Sequence, residues 1–181
     1  LCTAASASAA PIRFYAQLDG PSEAPPNASP GTGRAVVTID KAANTMRVQT
    51  SFEDLIGIVT VAHIHLSATP LSGTGGVATT TPTFPGFPAG STSGSYDRTF
   101  DMTMASSYNA AFLNNATNLG ATTTAQATLF TGIEEGRAYL NVHSTLYPGG
   151  EIRGFLVPEP ASMTMVGVAL AGLVARRRMR R

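Results

Sequence analysis

The chain is poor in the residues that usually build cross-linked or reactive proteins. Its 181 residues include one cysteine (Cys2), one lysine (Lys41) and no tryptophan. A single cysteine cannot form an internal disulfide or a cysteine-based zinc site, so packing of the core must supply the stability. The sequence also has no nucleophilic serine motif, phosphate-binding loop or paired catalytic carboxylates. These absences predict a protein that is not an enzyme.

Basic residues are scarce away from the C-terminus. Five of the 12 lysines and arginines form a terminal cluster, which consists of Arg176, Arg177, Arg178, Arg180 and Arg181. The other seven stand against 11 acidic residues, so the rest of the chain carries a net charge of −4. Without a basic patch, this part of the chain is not suited to binding nucleic acid.

An apolar run without any charge, residues 161–175, lies just before the terminal arginines. As a helix it would reach about 22 Å, which is short of the roughly 30 Å hydrocarbon core of a membrane. The arginines favour a transmembrane helix all the same, with its end in the cytoplasm and the preceding residues outside. Pro158 and Pro160 predict an extended, accessible peptide at Glu159, which a processing enzyme could reach. An ordinary tail anchor is the alternative.

This order of elements resembles the PEP-CTERM sorting signal of Gram-negative bacteria. The resemblance rests on Pro158-Glu159-Pro160 and on the rest of the segment 158–181. It implies a precursor held in the inner membrane, recognition and cleavage by an exosortase-type membrane protease, and delivery to the cell surface or to extracellular polysaccharide. At the other end, residues 1–9 contain small-residue cleavage patterns and are predicted to be a signal-peptide remnant, with a disordered N-terminus as the alternative.

The intervening domain, residues 11–157, alternates polar and apolar residues with period two, which is typical of strands. Seven strands are predicted, at 13–20, 33–40, 44–55, 61–67, 93–103, 137–144 and 151–157. Helical spacing predicts short helices at 106–117 and 123–136, the second ending before Gly136. The Gly-, Pro- and Thr-rich residues 68–94 predict a long surface excursion with a short strand near Val77. The expected fold is an all-β antiparallel sandwich or barrel with one or two short helices, followed by the C-terminal transmembrane helix.

Four stretches of this domain resemble the CHRD domain, which is named from chordin. They are "LDGPSEAPPNASPGTGRAVVTID", "AHIHLS", "GRAYLNVHS" and "YPGGEIRGFL", and the resemblance covers roughly residues 13–157. The resemblance implies an all-β extracellular module with no known reaction. The predicted role is therefore binding or structural, in the cell envelope or the polysaccharide matrix.

The three histidines of the chain lie in two of these stretches. His63 and His65 project from one face of a strand, and His143 lies on another strand. If the two strands are neighbours, the rings could converge on a Cu or Zn ion, whose affinity should fall as pH drops through about 6.5. A metal-binding module is thus the alternative function. A structural hydrogen-bond network among the histidines is the competing interpretation.

Four further residues are predicted to have structural roles. Glu151 and Arg153 alternate on one face of the last strand, and Glu23 could pair with Arg153 to pin the proline-rich loop to the sheet. Gly154 lies inside that strand, where a glycine usually marks a close backbone approach. Replacing Gly154 is predicted to harm folding more than any change in residues 80–92.

Overall fold

The computed structural model describes residues 10–159. The predicted signal-peptide remnant and the predicted membrane helix at 161–175 therefore lie outside the described residues. The strands are β1 Ile12–Asp19, β2 Thr32–Asp40, β3 Thr45–Glu53, β4 Val59–Ser67, β5 Gly75–Val77, β6 Gly94–Asp101, β7 Ala138–Ser144, β8 Ile152–Phe155 and β9 Val157–Pro158. The α-helices are α1 Ala110–Leu113 and α2 Thr122–Glu134.

All the strands belong to one curled antiparallel sheet, which forms a half-barrel. Its order is β5-β4-β7-β8-β1-β2-β3-β6, and β9 also pairs with β1. The predicted all-β antiparallel class is confirmed, and in place of the predicted sandwich or barrel the strands form a curled half-barrel. Strands β5 and β6 lie at opposite ends of the sheet. Strand β7 lies between β4 and β8, so it joins β5 and β4 to the rest of the strands in one sheet.

The β2–β3 hairpin forms where the sequence predicts a tight turn. The Asp40 carboxylate accepts hydrogen bonds from the backbone N–H groups of Ala42 and Ala43, at 3.0 and 2.9 Å. Asn44 adopts a left-handed backbone with φ 54°, a conformation that asparagine tolerates better than most residues. The hairpin sets the register of nine paired positions between the two strands.

Helix α2 matches the second predicted helix, and Gly136 ends it with a left-handed φ of 69°. The first predicted helix is largely wrong, because only a 3-10 turn at Ala105–Ser107 and the four residues of α1 form there. The Asn114 side chain bonds the carbonyl of Ala110, and asparagines of this kind compete with helix continuation. No helix within residues 10–159 has the length and apolarity needed to cross a membrane.

The predicted surface excursion is mostly exposed, but a few of its side chains reach into the core. It does contain the expected short strand, β5, but Phe84 is fully buried and Phe87 is 6% exposed. Phe84 packs against Tyr96 and Phe100, with ring centroids 5.7 and 5.4 Å away. Phe87 stacks on Phe52 at 5.5 Å. A half-barrel leaves an apolar face open, and the two phenylalanines cover it although the rest of the segment is polar.

Replacing Phe84 with alanine should therefore be strongly destabilising. Loss of a fully buried phenylalanine costs about 3–5 kcal/mol, because apolar burial is lost and a cavity remains. Chemical denaturation of Phe84→Ala should show a loss in this range, whereas Ala89→Ser at an exposed position of the same segment should stay within about 0.5 kcal/mol of the parent. An equal, small effect of both changes would contradict the packing of this segment. That replacing Gly154 harms folding more than any change in residues 80–92 stays a prediction, with Phe84→Ala as the strongest comparison within that range.

Strand β7 is buried along its whole length, unlike a typical strand with one solvated face. Its apolar residues Ala138, Leu140 and Val142 belong to the core. Its alternate residues, which face the other side of the sheet, are Tyr139, Asn141 and His143, and they are buried as well. The sheet therefore carries a second, polar layer opposite the core.

Candidate metal centre

The polar layer brings the three histidines together. Strands β4 and β7 pair directly, with His63 opposite Asn141 and Val61 opposite His143. Ala62 and Ile64 face the core, so His63 and His65 face the polar layer. The ring centroid of His63 lies 4.6 Å from that of His65 and 4.7 Å from that of His143. The predicted convergence of the three rings is thus present in the structure.

Each histidine is anchored through its Nδ1 atom to a backbone carbonyl. His65 Nδ1 lies 2.8 Å from the oxygen of Gly75, His143 Nδ1 lies 2.9 Å from that of Pro148, and His63 Nδ1 lies 3.2 Å from that of Pro82. A carbonyl oxygen can only accept, so each Nδ1 must carry the proton. The lone pair of each neutral ring is then on Nε2.

The Nε2 atoms lack ordinary partners. His63 Nε2 and His143 Nε2 face each other at 3.0 Å, and the buried Nε2 of His65 has no hydrogen-bond partner. With Nδ1 protonated in both neutral rings, the close pair consists of two lone pairs, which repel. Either an imidazolium proton or a bound cation can make this contact favourable.

Burial opposes protonation of the three histidine rings. Desolvation lowers the pKa of His63 and of His65 to about 4, and it also lowers the pKa of His143. The neighbouring rings lower the pKa of His63 further, because two charged imidazoles would repel each other. At neutral pH the three rings are therefore neutral, which is the form that coordinates metals.

The donor atoms are close enough for one ion. One ligand nitrogen from each ring lies within 4.8 Å of the other two. Nitrogens bound to one Zn ion at about 2.0–2.1 Å are about 3.4 Å apart in tetrahedral geometry, so a pair at the upper limit of 4.8 Å would need to close by about 1.4 Å when the ion binds. His63 is 6% and His143 8% exposed, while His65 is half-buried and gives the cluster its most open side.

Neighbouring groups hold the rings in place. Tyr139 stacks on His65 with ring centroids 4.8 Å apart and an interplanar angle of 2°. The Tyr139 hydroxyl accepts a hydrogen bond from the backbone N–H of Gly75, the residue whose carbonyl anchors His65. These outer contacts fix ring orientation, as they do around metal-bound histidines. The sequence did not reveal the three anchoring carbonyls, because a backbone acceptor has no side-chain signature.

Glu23 and Arg153 lie together beside this cluster, with Arg153 Nε 3.9 Å from Glu23 Oε2. Arg153 also donates to the carbonyl oxygens of Ser22 and Gly73, which ties two loops to β8. Burial raises the pKa of Glu23 to about 7 against the opposing charge of Arg153. Glu23 Oε1 and Asn141 Oδ1 are both buried without a hydrogen-bond partner.

Glu151, just before β8, and Gly154, within β8, connect this strand to other parts of the protein. The buried Glu151 carboxylate accepts hydrogen bonds from Ser29 Oγ at 2.7 Å and from the backbone N–H groups of Ile56 and Gly57 at 2.7 and 3.1 Å. It therefore joins the β1–β2 loop to the β3–β4 loop. A Cβ atom added at Gly154 would collide with the carbonyl oxygen of Gln17, so Gly154 allows a close approach to β1.

The proline motif begins within the sheet. Strand β9 pairs Val157 with Tyr15 and Pro158 with Phe14. The Tyr15 hydroxyl donates to Glu159 Oε1 at 2.9 Å, and Glu159 N–H donates to the carbonyl of Arg13 at 3.2 Å. Glu159 is thus extended as predicted, but it is half-buried and hydrogen-bonded instead of freely accessible. Pro160 lies outside the described residues.

Comparisons with known proteins agree with both resemblances. The PEP-CTERM protein-sorting motif matches residues 156–180, which indicates an exported protein whose membrane-anchored precursor is recognised by an exosortase. No curated protein and no solved structure matches the chain. The CHRD domain matches residues 14–156, which is most of the chain and includes all three histidines. The chain therefore belongs to the CHRD domain family.

Proposed function

We propose that this protein is a non-enzymatic binding protein of the cell surface or the extracellular polysaccharide matrix, and that its CHRD domain binds one Cu or Zn ion through His63, His65 and His143. The precursor is held in the inner membrane by residues 161–175 and the terminal arginines. An exosortase-type protease then processes it near Pro158-Glu159-Pro160. The sorting motif supports the export route, and the histidine cluster supports the metal.

One observation carries the metal proposal. All three Nδ1 atoms face backbone carbonyls, which leaves an Nε2 lone pair on each ring; those of His63 and His143 face each other, and that of His65 is buried without a partner. A purely structural network would gain more from rings that alternate as donor and acceptor, because each buried nitrogen would then be paired. The arrangement with three converging acceptors and no donor suits a cation. Imidazole nitrogens are good ligands for both Zn and Cu.

Metal content tests the proposal. The full chain, carrying Cys2→Ser so that no thiol competes, should bind one Zn or Cu ion per chain in calorimetry at neutral pH. Asp54→Asn, which removes an exposed carboxylate that is not part of the histidine cluster, should bind equally well. The proposal fails if the parent binds neither ion more tightly than the micromolar range. The histidines would then form the structural network.

The pH dependence of binding should reflect the buried rings. Protons compete with the metal only below the histidine pKa, and burial lowers this value to about 4 for His63 and His65. Affinity should therefore fall by well under about a hundredfold between pH 7 and 5, and steeply near pH 4. Three unperturbed histidines of pKa about 6.5 would lose on the order of ten-thousandfold over the same range.

Calorimetry at pH 7, 6 and 5 distinguishes the two cases. The expectation of a fall through pH 6.5 ignores burial, which the sequence does not reveal. A ten-thousandfold loss by pH 5 would show that the histidines bind metal in a solvated environment that differs from the buried cluster.

A further inference from the structure

The three ligands of the cluster bring no negative charge. Each histidine is neutral when its Nε2 coordinates, and no aspartate, glutamate or cysteine joins the cluster among residues 10–159. An ion in this site would therefore keep its whole charge. A divalent ion would leave two uncompensated positive charges in a buried position, whereas a monovalent ion would leave one.

A positively charged side chain, Arg153, lies beside the cluster. The Arg153 guanidinium carbon lies 4.9 Å from the ring centroid of Tyr139, and Tyr139 stacks directly on His65. Arg153 also shares a row of the sheet with His63, because each pairs with Asn141 on the strand between them. Glu23 is 3.9 Å from Arg153, but burial holds its pKa at about 7, so it offsets that charge only in part.

The desolvation cost of a bound ion depends on its charge, so the site discriminates between monovalent and divalent ions. The cost of moving an ion into a medium of low dielectric constant rises with the square of its charge, so it is about four times larger for a dication than for a monocation of similar size. Zn and Cu(II) usually offset this cost with a fourth ligand, often a carboxylate or water, in tetrahedral or tetragonal geometry. Cu(I) is monovalent and accepts three ligands.

We infer that the histidine cluster is a Cu(I) site, which prefers the cuprous ion to Zn(II) and Cu(II). This inference rests on the proposed metal function and names its ion. It depends on three neutral Nε2 ligands, a buried position without a carboxylate, and a guanidinium behind Tyr139. The protein would hold copper in its reduced state without providing a reaction for it.

The test measures both ions on the same protein. The full chain with Cys2→Ser is titrated anaerobically with Cu(I) against a chromophoric Cu(I) chelator, and in parallel with Zn(II) against a zinc chelator, both at pH 7. The Cu(I) affinity should exceed the Zn(II) affinity by at least about a hundredfold. Zn(II) affinity equal to or above that of Cu(I), with both lost in His143→Ala, would overturn the Cu(I) inference and leave the metal function intact.

Two further outcomes identify other failures. Absence of binding by either ion would overturn the proposed function together with the inference. Cu(I) binding that survives in His143→Ala would place the copper elsewhere and overturn the inference.

A charge substitution tests the electrostatic cause separately. Asn141→Asp is nearly isosteric and adds a carboxylate beside His63 in the polar layer. It should lower the ratio of Cu(I) to Zn(II) affinity by at least about tenfold, because the new charge favours the dication more. Asp54→Asn, on the exposed surface, should leave the ratio unchanged. An unchanged ratio in a folded Asn141→Asp protein that still binds both ions would refute the electrostatic argument.

Discussion

Replacing His143 with alanine should reduce metal affinity by more than about a hundredfold. His63 and His65 lie two residues apart on one strand, and alone they leave the ion short of ligands. His143 supplies the third nitrogen from the neighbouring strand, 3.0 Å from His63 Nε2. Loss of an outer-shell partner alone typically costs about 10- to 100-fold, so removal of a ligand should exceed that range.

Competition titration of parent and variant measures this effect, and circular dichroism establishes whether the variant is folded. His63→Ala and His65→Ala should show losses of the same order, because each removes one of three equivalent ligands. Asp54→Asn serves as the control with unchanged affinity. A folded His143→Ala protein that binds metal as tightly as the parent would show that the ion lies elsewhere. If the parent binds no metal and His65→Ala only lowers the Tm, the network interpretation holds.

Replacing Glu159 with alanine should leave unprocessed precursor in the membrane fraction of a host with an exosortase. The sorting motif includes Glu159, and the apolar run that follows would keep an uncleaved chain anchored. The parent protein should leave the membrane fraction and lack residues beyond about Pro160. Mass spectrometry of the exported protein checks the cleavage, and recovery of an intact Arg181 end would contradict it.

Tyr15→Phe provides the matched control for this experiment. It removes the hydroxyl that bonds Glu159 Oε1 but keeps the motif and the aromatic ring. Processing of this variant should be at least as fast as that of the parent, because one contact that holds the motif to β1 is lost. If parent and Glu159→Ala both stay unprocessed in the membrane, the tail-anchor interpretation replaces the sorting signal. Normal processing of Glu159→Ala would contradict the role of Glu159 in recognition.

The local elements could be predicted from the sequence because alternation reports them directly. Strands β1, β2 and β4 and helix α2 lie close to their predicted positions, and the turn before Asn44 follows from its residue types. The long-range pairing could not be predicted in this way. Alternation shows that a strand has two faces, but it does not show that β7 inserts between β4 and β8 or that both of its faces are buried.

The candidate site was likewise predictable in its local part and not in the part that depends on long-range packing. Period two places His63 and His65 on one face, and the pairing of β4 with β7 then brings in His143. The lowered pKa values and the shared tautomer depend on burial and on the carbonyls of Gly75, Pro82 and Pro148, which come from three separate segments. Phe84 was missed for a related reason, because a phenylalanine in a polar segment gives no periodic signal.

The central claim is that three Nε2 lone pairs converge while the Nδ1 atoms keep their protons. Nitrogen NMR of the histidine rings tests it most directly, because the two ring nitrogens are resolved. The account predicts that one equivalent of Cu(I) or Zn(II) shifts all three Nε2 resonances together and leaves every Nδ1 protonated and bonded to its carbonyl. Rings protonated on Nε2 in the metal-free protein, or Nε2 resonances that do not respond to either ion, would contradict it.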